Sequence, residues 1–159
     1  MIEKLTEWAN AGDSNSAYHL AQLFKEIFSE YIKWLEKAAE GKNFQAMKEF
    51  AEILRNGDEK IRNTEKAVQI YKELVTDFYD VESMEILVDM CAPSDTETLN
   101  LILDTIDKRY NEIYLRDYQI LGRVLEIGTR RHNECTIQTL QAIERRRISS
   151  SIRKLLAGN

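Results

Sequence analysis

The chain has 159 residues, of which 43% are hydrophobic and 31% charged, with a formal net charge of −5. That balance excludes a disordered polyampholyte and leaves enough apolar material for a real core. No apolar run approaches the roughly 20 residues that a membrane-spanning helix needs. One proline and six glycines are too few for the turn density of an all-β fold, so helix is the expected class.

Apolar residues recur at helical spacing along the chain, with breaks about every 12 to 16 residues. Ile2, Leu5, Trp8 and Ala9 predict a first helix that ends at Ala11-Gly12. Asp13 and Ser14 are capping residues for a second, with the stripe Ala17, Leu20, Ala21, Phe24 and Ile27. Tyr31, Trp34, Leu35, Ala38 and Ala39 predict a third that stops at Gly41. Asn43 caps a fourth, carrying Met47, Phe50, Ala51 and Leu54, with Gly57 after it as the left-handed stop. Asn63 or Thr64 opens a fifth with Ala67, Ile70, Tyr71, Leu74 and Val75; Asp80 opens a sixth with Val81, Met84, Leu87, Val88 and Cys91.

Ala92-Pro93 breaks the pattern, and Ser94-Asp95-Thr96-Glu97 again offers caps. Leu99, Ile102, Leu103, Ile106 and Tyr110 predict a seventh helix. Tyr114, Tyr118, Leu121, Gly122 and Leu125 predict an eighth, ending before Gly128. A ninth is expected after Asn133 (Ile137, Leu140, Ala142), followed by a tail with Ile148, Ile152, Leu155 and Leu156 that caps the last pair.

The helices repeat in pairs. A shift of 30 places Leu5 on Leu35, Ala9 on Ala39, Asp13 on Asn43, Leu20 on Phe50 and Ala21 on Ala51. A shift of 36 places Trp34 on Ile70, Leu35 on Tyr71, Ala39 on Val75, Phe50 on Ile86 and Ala51 on Leu87, and a shift of 71 places Gly57 on Gly128. A large residue beside a small one allows close helix approach, and stacked pairs bury what one pair cannot. The expected architecture is a single all-α domain over 1–159, an α-α superhelix of antiparallel pairs. Its units fall at about 1–28, 31–57, 64–91 and 95–128, with a terminal helix or cap at 133–157.

The segment Tyr31-Ile32-Lys33-Trp34-Leu35-Glu36-Lys37-Ala38-Ala39-Glu40-Gly41-Lys42-Asn43-Phe44-Gln45-Ala46 resembles the hallmark of the Sel-one-like repeat, W-a-x-K-A-A-x-x-G-x-x-x-A. That family is related to the tetratricopeptide repeat. Asn63–Tyr71 is similar to the start of a further unit, and Leu121-Gly122 with Gly128 resembles the leucine–glycine pair and trailing glycine of the family's other helix. The resemblance implies an α-solenoid that serves as a protein-binding adaptor, with no catalytic residues.

Nothing in the chain has the spacing of a nucleotide loop, a zinc helix, a C-x-x-C pair or a nucleophile elbow. His19 and His132 are the sole histidines, which leaves no histidine-rich metal site. Cys91 and Cys135 are isolated, as expected of small buried hydrophobes in a reducing compartment. The expectation is a non-enzyme with no cofactor and no metal. The acids and tryptophan of Met1–Trp8 are unlike a signal peptide, so a cytoplasmic location follows.

Charge is uneven. Residues 1–122 carry 14 basic and 24 acidic side chains, residues 123–159 carry 8 and 3. Between Lys72 and Lys108 there is no Lys or Arg but ten acids: Glu73, Asp77, Asp80, Glu82, Glu85, Asp89, Asp95, Glu97, Asp104 and Asp107. Such a tract is either a solubilising face or a surface for a basic partner. The arginines of 130–153 lack companion aromatics, so a nucleic-acid role is not favoured. The basic tail is instead suited to pair with the acidic middle.

Two functions are in view. One is a protein-binding module whose groove is lined by Lys33, Glu36, Lys37, Gln69, Lys72 and Glu73. The alternative is an immunity or inhibitor protein that neutralises a basic toxin or nucleic-acid-binding protein through 73–107, chiefly Asp80, Glu82, Glu85 and Asp89. Either has another protein as partner, and a monomer or homodimer suits both.

Overall fold

A computed structural model describes residues 1–90 and 95–108, and these are all-helical apart from their connections. The helices are α1 (Ile2–Asn10), α2 (Ser14–Leu23), α3 (Phe28–Glu40), α4 (Phe44–Asn56), α5 (Thr64–Phe78), α6 (Val81–Met90) and α7 (Thr96–Lys108). The chain divides into two compact units, Met1–Phe78 and Tyr79–Asn159. The expected eighth and ninth helices, the tail, Tyr110, Tyr114, Tyr118, Gly128 and both cysteines lie outside the described residues.

In the first unit each helix packs on the next, α1 on α2, α2 on α3, α3 on α4 and α4 on α5. Side chains also join alternate helices: Lys37 of α3 reaches Asn10 of α1, and Lys66 of α5 reaches Glu36 of α3. Tyr18 and Gln22 of α2 reach Glu49 of α4. Side-chain bonds therefore link the odd helices α1, α3 and α5 in one row and the even helices α2 and α4 in another. Leu20, Ala21, Leu35, Ala38, Ala51, Leu74 and Val75 are fully buried in this unit. Each such leucine contributes roughly 1.5–3 kcal/mol relative to exposure. In the second unit α6 and α7 are in contact, with Met84, Leu87, Val88, Leu99, Ile102 and Ile106 buried.

The helix starts are chemically alike. The carboxylate of Asp13 accepts from the Ser16 amide at 2.8 Å, Asp80 from the Ser83 amide at 3.1 Å and Asp95 from the Thr98 amide at 3.1 Å. The amide oxygens of Asn43 and Asn63 do the same for Ala46 and Lys66, each at 3.0 Å. Each bond satisfies a donor that the first turn leaves orphaned. The hydroxyls of the buried Ser83 and Thr98 also donate to their capping aspartates, at 2.6 and 2.8 Å.

The two corners that close α1 and α3 match bond for bond at the shift of 30. Asp13 N–H donates to Trp8 O at 3.0 Å and Gly12 N–H to Ala9 O at 3.2 Å; Asn43 N–H donates to Ala38 O at 3.0 Å and Lys42 N–H to Ala39 O at 2.9 Å. This is the paired bond of a Schellman stop, which requires a left-handed residue just past the cap. Gly12 takes it with φ 101°, but in the second corner Lys42 does, with φ 60°. The expected role of Gly41 is thereby corrected. Its φ is −77°, and what demands glycine is proximity: a Cβ there would lie 2.6 Å from the Ser14 Cβ. Gly57 is not left-handed either; its backbone is extended, and a Cβ would strike the Ile53 carbonyl.

Three further expectations are corrected. Trp8, placed in the core by its stripe position, is 54% exposed. Ile27 is not part of α2, which ends at Leu23; it caps α3 from outside and is exposed. The shift of 36 also slips by one at α6. The caps Asn43 and Asp80 are 37 apart, and at that shift buried Met47, Phe50 and Ala51 match buried Met84, Leu87 and Val88. Ile86, the expected partner of Phe50, is half-buried. The added residue follows Phe78, where Tyr79 turns left-handed with φ 57°.

Candidate functional site

The odd row presents the polar side chains singled out in the sequence. On α3, Lys33 is exposed and bonds Glu30 at 3.3 Å, while Glu36 and Lys37 are half-buried. Glu36 accepts from Lys66 of α5 at 2.5 Å, and Lys37 donates to Asn10 of α1 at 2.6 Å. On α5, Gln69 donates to Glu73 at 3.4 Å, and Glu73 also pairs with Lys42. Asp77 takes the same ammonium at 3.1 Å. Lys72 is half-buried on the same helix. The structure thus links Glu36, Lys37 and Glu73 into a ladder across α1, α3 and α5. Lys33, Gln69 and Lys72 bond within their own helices or have no bond of this kind across the row.

Trp34 sits under this ladder. Its ring is 6% exposed, and the ammonium groups of Lys33 and Lys37 lie 5.2 and 5.5 Å from its centroid. Two cations on one indole are a cation–π arrangement that fixes both lysine stems along α3. The indole N–H is buried and has no hydrogen-bond acceptor among the described residues. Lys66 stands in the same way over the Phe50 ring at 5.1 Å.

Between the rows lies a second polar cluster that sequence periodicity did not reveal. Glu49 of α4 accepts from Tyr18 at 2.6 Å, Tyr31 at 2.8 Å and Gln22 at 3.0 Å, joining α2, α3 and α4 on one carboxylate. Burial first, then the hydrogen bond to Glu49 and after it the Glu49 charge, push the Tyr18 phenol up to about 12 and that of Tyr31 up as well. One turn on, Glu52 accepts from Tyr71 of α5 at 3.0 Å and from Arg55 at 2.9 Å. Partial burial opposes ionisation of Glu52, but these donors outweigh it and hold the carboxyl below its usual range. A raised phenol pKa keeps Tyr18 and Tyr31 neutral, as hydrogen-bond donors whose shared carboxylate ties three helices together.

In the second unit, Glu82 and Asp89 of α6 are exposed, as are Glu97 and Asp104 of α7. Glu85 is half-buried. Asp80 is committed to capping α6 through both the amide and the hydroxyl of Ser83. Among the described residues there is no cluster of three or more His, Cys, Asp or Glu placed to hold a metal ion. No helix there is long and apolar enough to cross a membrane. Comparison with protein-family models, curated proteins and solved structures finds no match to this chain.

Proposed function

We propose that the chain is a non-catalytic protein-binding module of the Sel-one-like kind, a solenoid of helix pairs whose odd helices present the docking face. The observation that carries this reading is the ladder Asn10–Lys37, Glu36–Lys66 and Lys42–Glu73 across α1, α3 and α5. Surface ion pairs of this kind contribute about 0–1 kcal/mol each to folding. Their worth is in holding long side chains in a fixed pattern that a partner can read, with Trp34 as a rigid base beneath. Charge reversal at Lys37 and Lys72 tests the face. The double variant is expected to unfold at the temperature of the parent but to recover the partner from the native host poorly; undiminished recovery would remove this face from the reading.

A second reading, neutralisation of a basic protein, is favoured by one observation. The acids Glu82, Asp89, Glu97 and Asp104 are exposed in a stretch with no Lys or Arg between Lys72 and Lys108. Binding of fluorescent polylysine is the probe. Conversion of Glu82, Glu85 and Asp89 to their amides should weaken it and flatten its salt dependence. Binding that keeps its strength and salt dependence after those changes argues against this surface.

A further inference from the structure

Asparagine followed by glycine occurs once in the chain, at Asn56-Gly57. The pair closes α4: Asn56 is its last residue and exposed, and Gly57 is its cap, with extended backbone. Gly57 has no Cβ to shield its nitrogen, and none can be added without striking the Ile53 carbonyl. Two bonds hold the pair in place. The Gly57 N–H donates to Ile53 O at 2.8 Å, and the Asn56 Nδ2 donates to Glu52 Oε1 at 2.5 Å. Both belong to the final turn of a helix, which opens locally at far lower cost than the fold as a whole. The bond that ties the following connection to α4, Asn63 N–H to Leu54 O at 2.8 Å, involves neither residue. The last turn can therefore open while the connection stays attached.

We propose that Asn56 is a site of spontaneous deamidation, gated by fraying of the α4 end, and that the modification loosens the joint between α4 and α5. When the last turn opens, the Gly57 nitrogen gives its proton to hydroxide and attacks the side-chain carbonyl carbon of Asn56. The new carbon–nitrogen bond closes a five-membered imide, and Nδ2 leaves as ammonia. Water then adds to one ring carbonyl and breaks its bond to nitrogen. Opening at the side-chain carbonyl leaves aspartate; opening at the main-chain carbonyl leaves isoaspartate. The net change is one amide and one water converted to a carboxylate and ammonium, with no redox step. Position decides the consequence. Glu52 accepts from Tyr71 of α5 at 3.0 Å and from Arg55 at 2.9 Å. The product replaces a donor to Glu52 by a second negative charge, at the helix end where the dipole disfavours one. That charge competes with Glu52 for Arg55 and disturbs the carboxylate that holds Tyr71. Isoaspartate also lengthens the backbone by a methylene beside the Gly57–Ile53 bond. Asn15-Ser16 supplies the contrast: Ser16 is buried in the first turn of α2, and its N–H is held by Asp13 at 2.8 Å.

The test ages the full, folded chain in mildly alkaline buffer and locates the products by chymotryptic peptide masses and by enzymatic methylation of isoaspartate. Asn56 is expected to convert several times faster than Asn15, to a mixture of aspartate and isoaspartate. The Asn56 rate should rise severalfold in unfolding urea, because the gate is then open. Asn56→Asp serves as the fixed product. It is expected to lower the Tm by about 2–4 °C. In a Glu52→Gln background the same change should cost less, since the opposing charge is gone. The site is disproved if Asn56 stays intact while Asn15 reacts, and the gate if urea leaves the Asn56 rate unchanged. The effect on the α4–α5 joint is disproved if Asn56→Asp unfolds at the parent's temperature, or if Glu52→Gln leaves its cost undiminished.

Discussion

The phenol of Tyr31 on α3 donates to the carboxylate of Glu49 on α4 at 2.8 Å, from a side chain that is only 8% exposed. Tyr18 and Gln22 bring α2 to the same group, so one carboxylate ties three consecutive helices together. Removing Glu49 strands a buried phenol. Glu49→Ala is therefore expected to cost about 2–3 kcal/mol, since hydrogen bonds to charged groups and orphaned donors each contribute on the order of 1.5–3 kcal/mol. Urea unfolding monitored by helical ellipticity measures it, and Tyr31→Phe, which removes the donor as well, should cost less than Glu49→Ala.

The same cluster predicts a weakness in alkali. The fold favours the neutral phenols, so the stabilisation is complete below the ordinary tyrosine value of about 10. It is lost as pH rises from there through the raised value of about 12 for Tyr18. Phenolate absorbance should show Tyr18 and Tyr31 titrating above the ordinary tyrosine value, together with loss of helix. In Glu49→Gln the Tyr18 titration should move only part of the way back, because burial is the larger cause.

Lys42 holds a left-handed backbone that glycine adopts freely. A non-glycine residue there costs about 1 kcal/mol or more, whereas the exposed pairs with Glu73 and Asp77 contribute about 0–1 kcal/mol. Lys42→Gly is thus expected to raise stability by about 0.5–1 kcal/mol in denaturant titrations. A drop would mean that the pairing of α3 to α5 through Lys42 outweighs the backbone strain.

Gly41 should behave in the opposite way. An added methyl would lie 2.6 Å from the Ser14 Cβ, at a contact between the end of α3 and the start of α2. Gly41→Ala is expected to cost about 1–3 kcal/mol through overpacking, and Ser14→Gly in the same chain should restore part of it. Thermal unfolding of the single and double variants checks the coupling.

Helix starts and buried faces were legible because their causes are local. Asp13, Asn43, Asn63, Asp80 and Asp95 each cap through a side chain that precedes an apolar stripe, and the whole interaction lies between residues three apart in sequence. The stripe of α5, Ala67, Ile70, Tyr71, Leu74 and Val75, is buried in full. Trp8 defeated the same reasoning because its burial requires a neighbouring helix, and periodicity marks a face without saying whether anything lies on it. The Glu49 cluster was hidden for a related reason: its donors come from residues 18, 22 and 31, and no spacing rule joins them. For Lys42 the misleading cue was Gly41, a glycine at the helix end that serves proximity while its neighbour supplies the turn.

The corners at Ala11–Asp13 and Gly41–Asn43 are each closed by bonds to their own preceding helix and by a cap three residues ahead. Such joints are self-sufficient, and a longer spacing to the next repeat is absorbed in a longer α4 and in the connection 57–63 rather than in the joints themselves. A gene for this chain could accordingly gain or lose a helix pair by in-frame duplication or deletion without redesigning the remainder. Length variation in whole pairs, rather than drift in loop sequence, is then the cheapest route by which it could acquire a new span of surface.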